Sequence, residues 1–231
     1  MIGYYTDNNI SHSVMKAVGR SGIKVRHIKN FDKDQPAVFY GILRGCGAGM
    51  LHHKIQGIPF FYIDNGYFDA MYMDLTKHKE MSGKYRVVKN GMIEPFMGAP
   101  RKEPIRKCKV LGMPPSPYTA FMYDTSPEDW NLQARERLIR LGHEPMLRDK
   151  TDQQPLLKCL KHVDAVYAFN SMGAVAAIDA GKAVYTTQGV VQNDHLLEEC
   201  LPYYDIAEIR KFYEPKQFTL GEISEGKACL S

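Results

Sequence analysis

The chain has 231 residues, 44% of them hydrophobic and 24% charged, with a net charge of +4. That length suits two compact lobes of about 100–120 residues each, and the apolar content suffices for cores without disulfides or metals. So mild a charge admits an anionic ligand without demanding one, and there is no apolar run of about eighteen residues to suggest a membrane span.

Five cysteines, Cys46, Cys108, Cys159, Cys200 and Cys229, form no C-x-x-C pair. An odd, scattered set predicts reduced thiols and a cytoplasmic protein rather than a secreted disulfide framework. No metal is expected, because the histidines never pair with cysteines at finger spacing. His52 and His53 are adjacent, so on a helix they point about 100° apart. The chain opens on a strand-like segment, and neither a signal peptide nor a membrane partner is expected.

Met1 to Thr6 reads as a strand, followed by turn chemistry at Asp7-Asn8-Asn9. Ser11 is placed to cap a helix carrying Val14, Ala17 and Val18 on one face, closed by Gly22. Ile23 to Ile28 alternates as a half-wet strand, and Ala37 to Ile42 as a buried one. A helix from about Gly47 to Ile55 ends at Gly57. The strand Ile58 to Ile63 then stops at Asp64-Asn65-Gly66. This alternation predicts a parallel sheet flanked by helices.

Residues 77–109 are rich in lysine and arginine and are interrupted by Pro95, Pro100 and Pro104. Tyr85 to Ile93 reads as a hairpin turning at Asn90-Gly91. Residues 94–107 read as a linker. Beyond it come a strand over Cys108 to Met113 and a helix opened by Ser126-Pro127-Glu128-Asp129. Trp130, Ala134, Leu138 and Leu141 form its apolar stripe. Glu144 to Arg148 is a strand, Leu156 to Leu160 a short helix, Ala165 to Phe169 a strand, Gly173 to Ala180 a helix and Ala183 to Thr187 a strand. The expected architecture is α/β: two Rossmann-like lobes with parallel sheets facing a cleft, residues 1–107 and 108–231.

The segment from Ala165 to Thr187 carries the clearest chemical signal. A buried strand runs into Asn170-Ser171-Met172-Gly173, where a helix of small residues begins. Free N–H groups at a helix start favour an anion, and Asn170 and Ser171 add side-chain donors. Asn-Ser can equally be a cap and nothing more. Thr187 ends the next strand on the same sheet edge, where parallel sheets bind ligands. Arg148 and Lys150 share one side of a strand end, as a diphosphate clamp or as solvated charges. Arg44 follows a buried strand and suits either an anion or a helix cap.

The stretch resembles the strand–Asn-Ser–helix–Gly-Lys-Pro-Val element in the carboxyl lobe of B-type, two-lobed glycosyltransferases and capsule-polysaccharide enzymes. Its counterpart here is Asn170-Ser171 with Ile178-Asp179-Ala180-Gly181-Lys182-Ala183-Val184. Ala183 stands where proline is usual, and Asp179 where an aliphatic residue is usual. Residues 108–226 are also similar to a group of phage-encoded glycosyltransferase-like proteins. That likeness rests on Pro114-Pro115-Ser116, the helix at 127–141, Arg148-Asp149-Lys150 and the tail Gln217 to Ile223. The amino half adds Tyr40 to Gly45 and Tyr62 to Phe68.

The resemblance implies transfer of a sugar from a nucleotide-sugar to a hydroxyl, with no cofactor beyond the nucleotide-sugar as substrate. Asn170, Ser171, Met172, Gly173, Arg148, Lys150, Thr187 and Ser116 would hold the donor. An inverting transfer needs a base, for which Asp64, Asp69 and His12 are the candidates. Asp64-Asn65-Gly66 also fits plain turn chemistry. Arg44, Asn65, Tyr67, Lys102, Arg106 and Lys107 are the candidates for the acceptor side, with duplex DNA carrying a modified base as one acceptor. A solvated basic surface accounts equally for the last three. The alternative class is a nucleotide- or sugar-binding protein without turnover, such as a phage factor that sequesters a host signal. No oligomeric state follows from the sequence.

Overall fold

In the computed structural model, residues 1–41, 45–68, 83–148, 154–170 and 172–230 are described. They form two compact units, Met1–Met92 with Tyr213–Ser231, and Ile93–Phe212. No described helix is long and apolar enough to cross a membrane.

The first unit contains β1 (Ile2–Tyr5), α1 (Asn9–Arg20), β2 (Lys24–His27), β3 (Ala37–Tyr40), α2 (Gly47–Gln56), β4 (Phe60–Asn65) and β5 (Tyr85–Lys89). The tail adds β12 (Gln217–Phe218) and α8 (Leu220–Ser224). The sheet order is β12-β5-β4-β3-β1-β2. The four strands from β4 to β2 are parallel, and β5 and β12 join antiparallel. Val14, Met15 and Val18 of α1 pack with Val38, Tyr40, Ile63 and Ile223. β3 is buried throughout, as an inner strand covered on both faces must be.

Local chemistry differs from the sequence expectation at four places. The cap of α1 is Asn8, whose Oδ1 accepts from the N–H groups of Ile10 and Ser11. Ser11 instead lies buried in the first turn, where its Oγ accepts from Thr6 N–H at 3.1 Å. β4 runs on through Asp64 and Asn65, which pair with Arg86 and Tyr85. Here an antiparallel partner extends the strand past the apolar run, so Asp64-Asn65 is not a turn. Asn90 and Gly91 do adopt left-handed conformations (φ 51° and 77°), but the strand they terminate pairs back onto β4. Asn90 locks that return by exchanging bonds with Phe60: N–H to Phe60 O at 2.8 Å, and Oδ1 from Phe60 N–H at 3.0 Å. The tail, read with the carboxyl lobe, pairs with β5 of the first unit.

The second unit contains β6 (Arg101–Pro104), β7 (Lys109–Met113), α3 (Pro117–Met122), α4 (Pro127–Arg140), β8 (Glu144–Leu147), α5 (Leu156–Leu160), β9 (Ala165–Ala168), α6 (Met172–Asp179), β10 (Ala183–Thr186) and β11 (Cys200–Tyr203). α7 (Ile206–Tyr213) closes it. Its main sheet, β10-β9-β7-β8, is parallel throughout. β6, inside the expected linker, pairs antiparallel with β11. Trp130, Ala134 and Leu138 of α4 pack with Val110, Tyr167 and Tyr185. The exposed edge of β10 is covered by Asn193, whose Oδ1 accepts from Thr186 N–H while Nδ2 donates to Val184 O, both at 2.9 Å. A side-chain amide thus supplies what a further strand would have supplied.

Gly66 sits at a tight junction in the first unit. A Cβ there would collide with Gln217 Oε1 and lie 2.9 Å from Lys84 O. Gly66→Ala should therefore destabilise the protein by about 1–3 kcal/mol in urea unfolding. Gly221→Ala, where a Cβ meets only Thr219 Oγ1 at 3.7 Å, should be neutral or stabilising. Equal midpoints for the two variants would contradict this packing.

Burial holds the His53 and His143 imidazoles below their ordinary value. The unfolded chain then binds more protons, so the stabilisation is complete above about pH 6.5 and is lost as pH falls through the depressed folded values. Denaturant midpoints should fall between about pH 7 and pH 5, and less so in the His53→Gln, His143→Gln double variant. An identical slope in both proteins would remove these histidines as the cause.

Candidate functional site

Parallel pairing in the second unit brings four strand ends to one edge. Arg148 N–H donates to Gly112 O at 2.9 Å, Phe169 N–H to Met113 O at 3.0 Å, and Thr187 N–H to Ala168 O at 3.0 Å. Gln188 N–H then donates to Phe169 O at 2.8 Å. The residues just past β8, β7, β9 and β10 therefore form one continuous rim, where parallel sheets present ligand sites.

At the middle of this rim α6 begins at Met172, directly after the turn from β9. Its first backbone N–H groups have no partner inside the helix and supply the positive end of its dipole. Gly173 serves close approach: a Cβ there would lie 2.9 Å from Met113 Cε and 3.1 Å from Leu156 Cδ2. Asn170 is half-buried, and its side chain lies against Gly189. Gly189 has φ 93°, and a Cβ on it would sit 2.9 Å from Asn170 Oδ1. The glycine both adopts the left-handed turn and leaves room for the asparagine. The sequence reading places Gln188 on this edge but missed Gly189; a glycine straight after the strand end was the available signal.

Two donor-side candidates spend their hydroxyls on structure. Thr187 Oγ1 accepts from Trp130 Nε1 at 3.0 Å, tying the β10 end to α4. Ser116 is buried and caps α3, accepting from Thr119 N–H at 3.3 Å. Arg148 sits on the rim, half-buried, with Nη2 donating to Gln154 O at 2.8 Å. Ser171, Lys150, Arg44 and Asp69 lie outside the described residues. The Gly181-Lys182 pair takes no place on this rim. Gly181 ends α6 with φ 69°, and Lys182 Nζ donates to Val163 O at 2.9 Å. Asp179, unusual in the motif, is exposed on α6 and so costs little there. A cavity of about 410 Å³ lies at the opposite end of β10, lined by Gly181, Lys182, Arg101, Tyr203, Tyr204 and Asp205. It lies away from the rim, and nothing in its lining belongs to the motif's Asn-Ser turn.

In the first unit, Asp64 and Asn65 end β4, and both oxygens of Asp64 are engaged. Oδ2 accepts from Arg86 Nη2 at 2.9 Å, and Oδ1 from Asn65 N–H at 2.9 Å. The side chain nonetheless remains 29% exposed. Tyr67 is buried, its ring beneath the Arg86 guanidinium and against Tyr213, rather than on an open loop. His12 is exposed on α1 beside Tyr5.

The basic stretch is not one stripe. Arg86 is interior, and Lys84 pairs with Glu214 in the first unit. Lys102, Arg106 and Lys107 are exposed in the second unit.

Two α/β units, each built around four parallel strands, define the class of fold. No family model matches the chain, and neither does any curated protein. Among solved structures, the chain is similar to the KpsC beta Kdo 2,4 transferase of Thermosulfurimonas dismutans at 11% identity and a TM-score of 0.45, covering 90% of this chain and 88% of that one. It is also similar to the KpsC beta Kdo 2,7 transferase of the same organism at 8% identity and a TM-score of 0.47, with the same coverage of both. Likeness of this degree transfers neither activity nor residue roles.

Removing the Thr187 hydroxyl should leave the Trp130 N–H without its partner. Thr187→Val is expected to cost about 1–3 kcal/mol in unfolding followed by the fluorescence of this single tryptophan. An unchanged midpoint and emission would return Thr187 to the pool of ligand-binding candidates.

Proposed function

We propose that the chain is a glycosyltransferase that moves a sugar from a nucleotide-sugar to a hydroxyl acceptor. The rim of the second unit carries this reading: the α6 start, Asn170, Arg148 and Gln188 gather on one carboxyl edge, as a nucleotide diphosphate requires. Helix-start N–H groups and the Arg148 guanidinium would stabilise the diphosphate as it departs. In the transfer, the acceptor oxygen bonds to the anomeric carbon and the bond from that carbon to the phosphate oxygen breaks. The electron pair leaves with the diphosphate, and the acceptor's proton passes to a base. Asp64 is the described carboxylate suited to that role, held in place by Arg86. Ser171 and Lys150 belong to the donor side in this reading, and Asp69 and His12 are the alternative bases. A modified base of phage DNA is the proposed acceptor, with Lys102, Arg106 and Lys107 as phosphate contacts.

One observation favours a second reading, nucleotide binding without turnover. Both Asp64 oxygens already have partners. Those bonds take up two of the carboxylate's roughly four acceptor positions and leave fewer for an acceptor's proton.

Asn170→Ala should weaken nucleotide-sugar binding about tenfold or more in calorimetry while leaving the fold intact. Asp64→Asn should lower release of the nucleoside diphosphate about a hundredfold with donor affinity preserved. Unchanged affinity in folded Asn170→Ala would remove the rim as the donor site. Tight nucleotide-sugar binding by the wild-type protein with no diphosphate released, across acceptors, would leave the binding reading in its place.

A further inference from the structure

In the first unit β4, β5 and β12 run side by side, and Arg86 is the register partner of both Asp64 and Gln217. Directly opposed residues of antiparallel strands project to one face, so the three side chains form a row across the sheet. Arg86 is almost wholly enclosed, with its side chain 11% exposed, and Nη2 donates to Asp64 Oδ2 at 2.9 Å. Its guanidinium carbon lies 4.4 Å from the centre of the Tyr67 ring, which is itself packed on Tyr213. Tyr67 and Gln217 are 7% and 5% exposed.

Arg86 Nε and Nη1, Gln217 Nε2 and the Tyr67 hydroxyl are all withdrawn from solvent, and among the described residues none of them has a hydrogen-bond partner. The Tyr67 hydroxyl feels the Arg86 charge but lacks the geometry of a hydrogen bond to it. Gln217 cannot turn to relieve the deficit, because its Oε1 accepts from Phe68 N–H at 3.0 Å and so fixes Nε2 as the remaining end. Buried polar groups are almost always paired, and a buried guanidinium especially so.

We propose that Arg86, Gln217 and Tyr67 form a binding site for a small oxyanion, a carboxylate or a phosphate group. The unmet nitrogens are all donors: one N–H on Nε, two on Nη1 and two on Nε2. Their complement is a group rich in acceptor oxygens. A water offers two lone pairs but brings two protons of its own, so it would meet fewer of these donors than an oxyanion does. Asp64 meets Arg86 through Nη2, which leaves Nε and Nη1 to a ligand. Burial pulls the Arg86 guanidinium down, but the Tyr67, Asp64 and Tyr62 contributions outweigh it, so Arg86 remains a cation. Burial likewise pushes the Tyr67 hydroxyl up, which keeps it a donor. The site stands independently of the glycosyl-transfer reading.

The test is calorimetric titration of the full chain with inorganic phosphate and with acetate, against chloride at matched ionic strength. Tyr67→Phe removes only the hydroxyl, and Gln217→Glu keeps the acceptor for Phe68 while placing a negative charge beside the site. The expected result is saturable binding of phosphate or acetate, weakened about tenfold or more in Gln217→Glu and more modestly in Tyr67→Phe. Which of the two anions binds tells a phosphate site from a carboxylate site. If one variant fails to fold by circular dichroism, the other decides. No saturable binding of either anion, or equal affinity in wild type and the folded variants, overturns the proposal.

Discussion

The hydrogen bonds that carry β9 between β7 and β10 position everything of chemical interest in the second unit. Because the three strands are parallel and in register, Met113, Ala168 and Thr186 end level with one another. The N–H groups just beyond them, at Phe169, Thr187 and Gln188, continue the ladder for one step before the chain turns away. Asn170 and the first turn of α6 are thereby set at the sheet's middle rather than at its flank. A slip of one residue would invert every side chain on β9 and bury the turn's polar groups. Tyr167 packed against Trp130, and the Trp130–Thr187 bond, oppose such a slip from the α4 side.

The first unit depends on a different device, a charge held inside a sheet. Arg86 bridges β4 and β12, facing Asp64 on one and Gln217 on the other. Taking a guanidinium out of water is costly unless its partners are well placed. Among the described residues, the unit supplies one carboxylate and one aromatic face and leaves Nε and Nη1 unmet. Such an arrangement is unfavourable for folding alone, and it makes sense where the unmet donors serve a ligand. The same pairing fixes the position of the Asp64 carboxylate.

Much of this was legible in the sequence, and most of the exceptions share a cause. β7 to β10 and the helices α4, α5 and α6 follow from apolar runs, a Ser-Pro-Glu-Asp helix start and glycine stops, whereas α3 was not read from the sequence. Each of these signals is local. Invisible were the contacts made over long stretches of chain. Nothing near Asp64 announces that Arg86 will extend its strand, and nothing in the tail announces that Gln217 will dock on β5. The capping box of Thr219 and Glu222 shows that a helix begins there but not which unit it joins. Asn193 reads as an ordinary loop residue until it covers the edge of β10. On the rim the turn itself was legible, whereas the hydroxyls of Thr187 and Ser116 proved to serve a tryptophan and a helix cap.

The most direct measurement is amide chemical-shift mapping of the labelled full chain during titration with nucleoside diphosphates. Saturable shifts concentrated at Arg148, Phe169, Asn170, Met172, Gly173 and Gln188 are the predicted result. Shifts confined to the residues around Arg101, Lys182 and Tyr203 at the other end of β10, or no saturable shifts with any nucleotide, would contradict the assignment of the rim as the donor site.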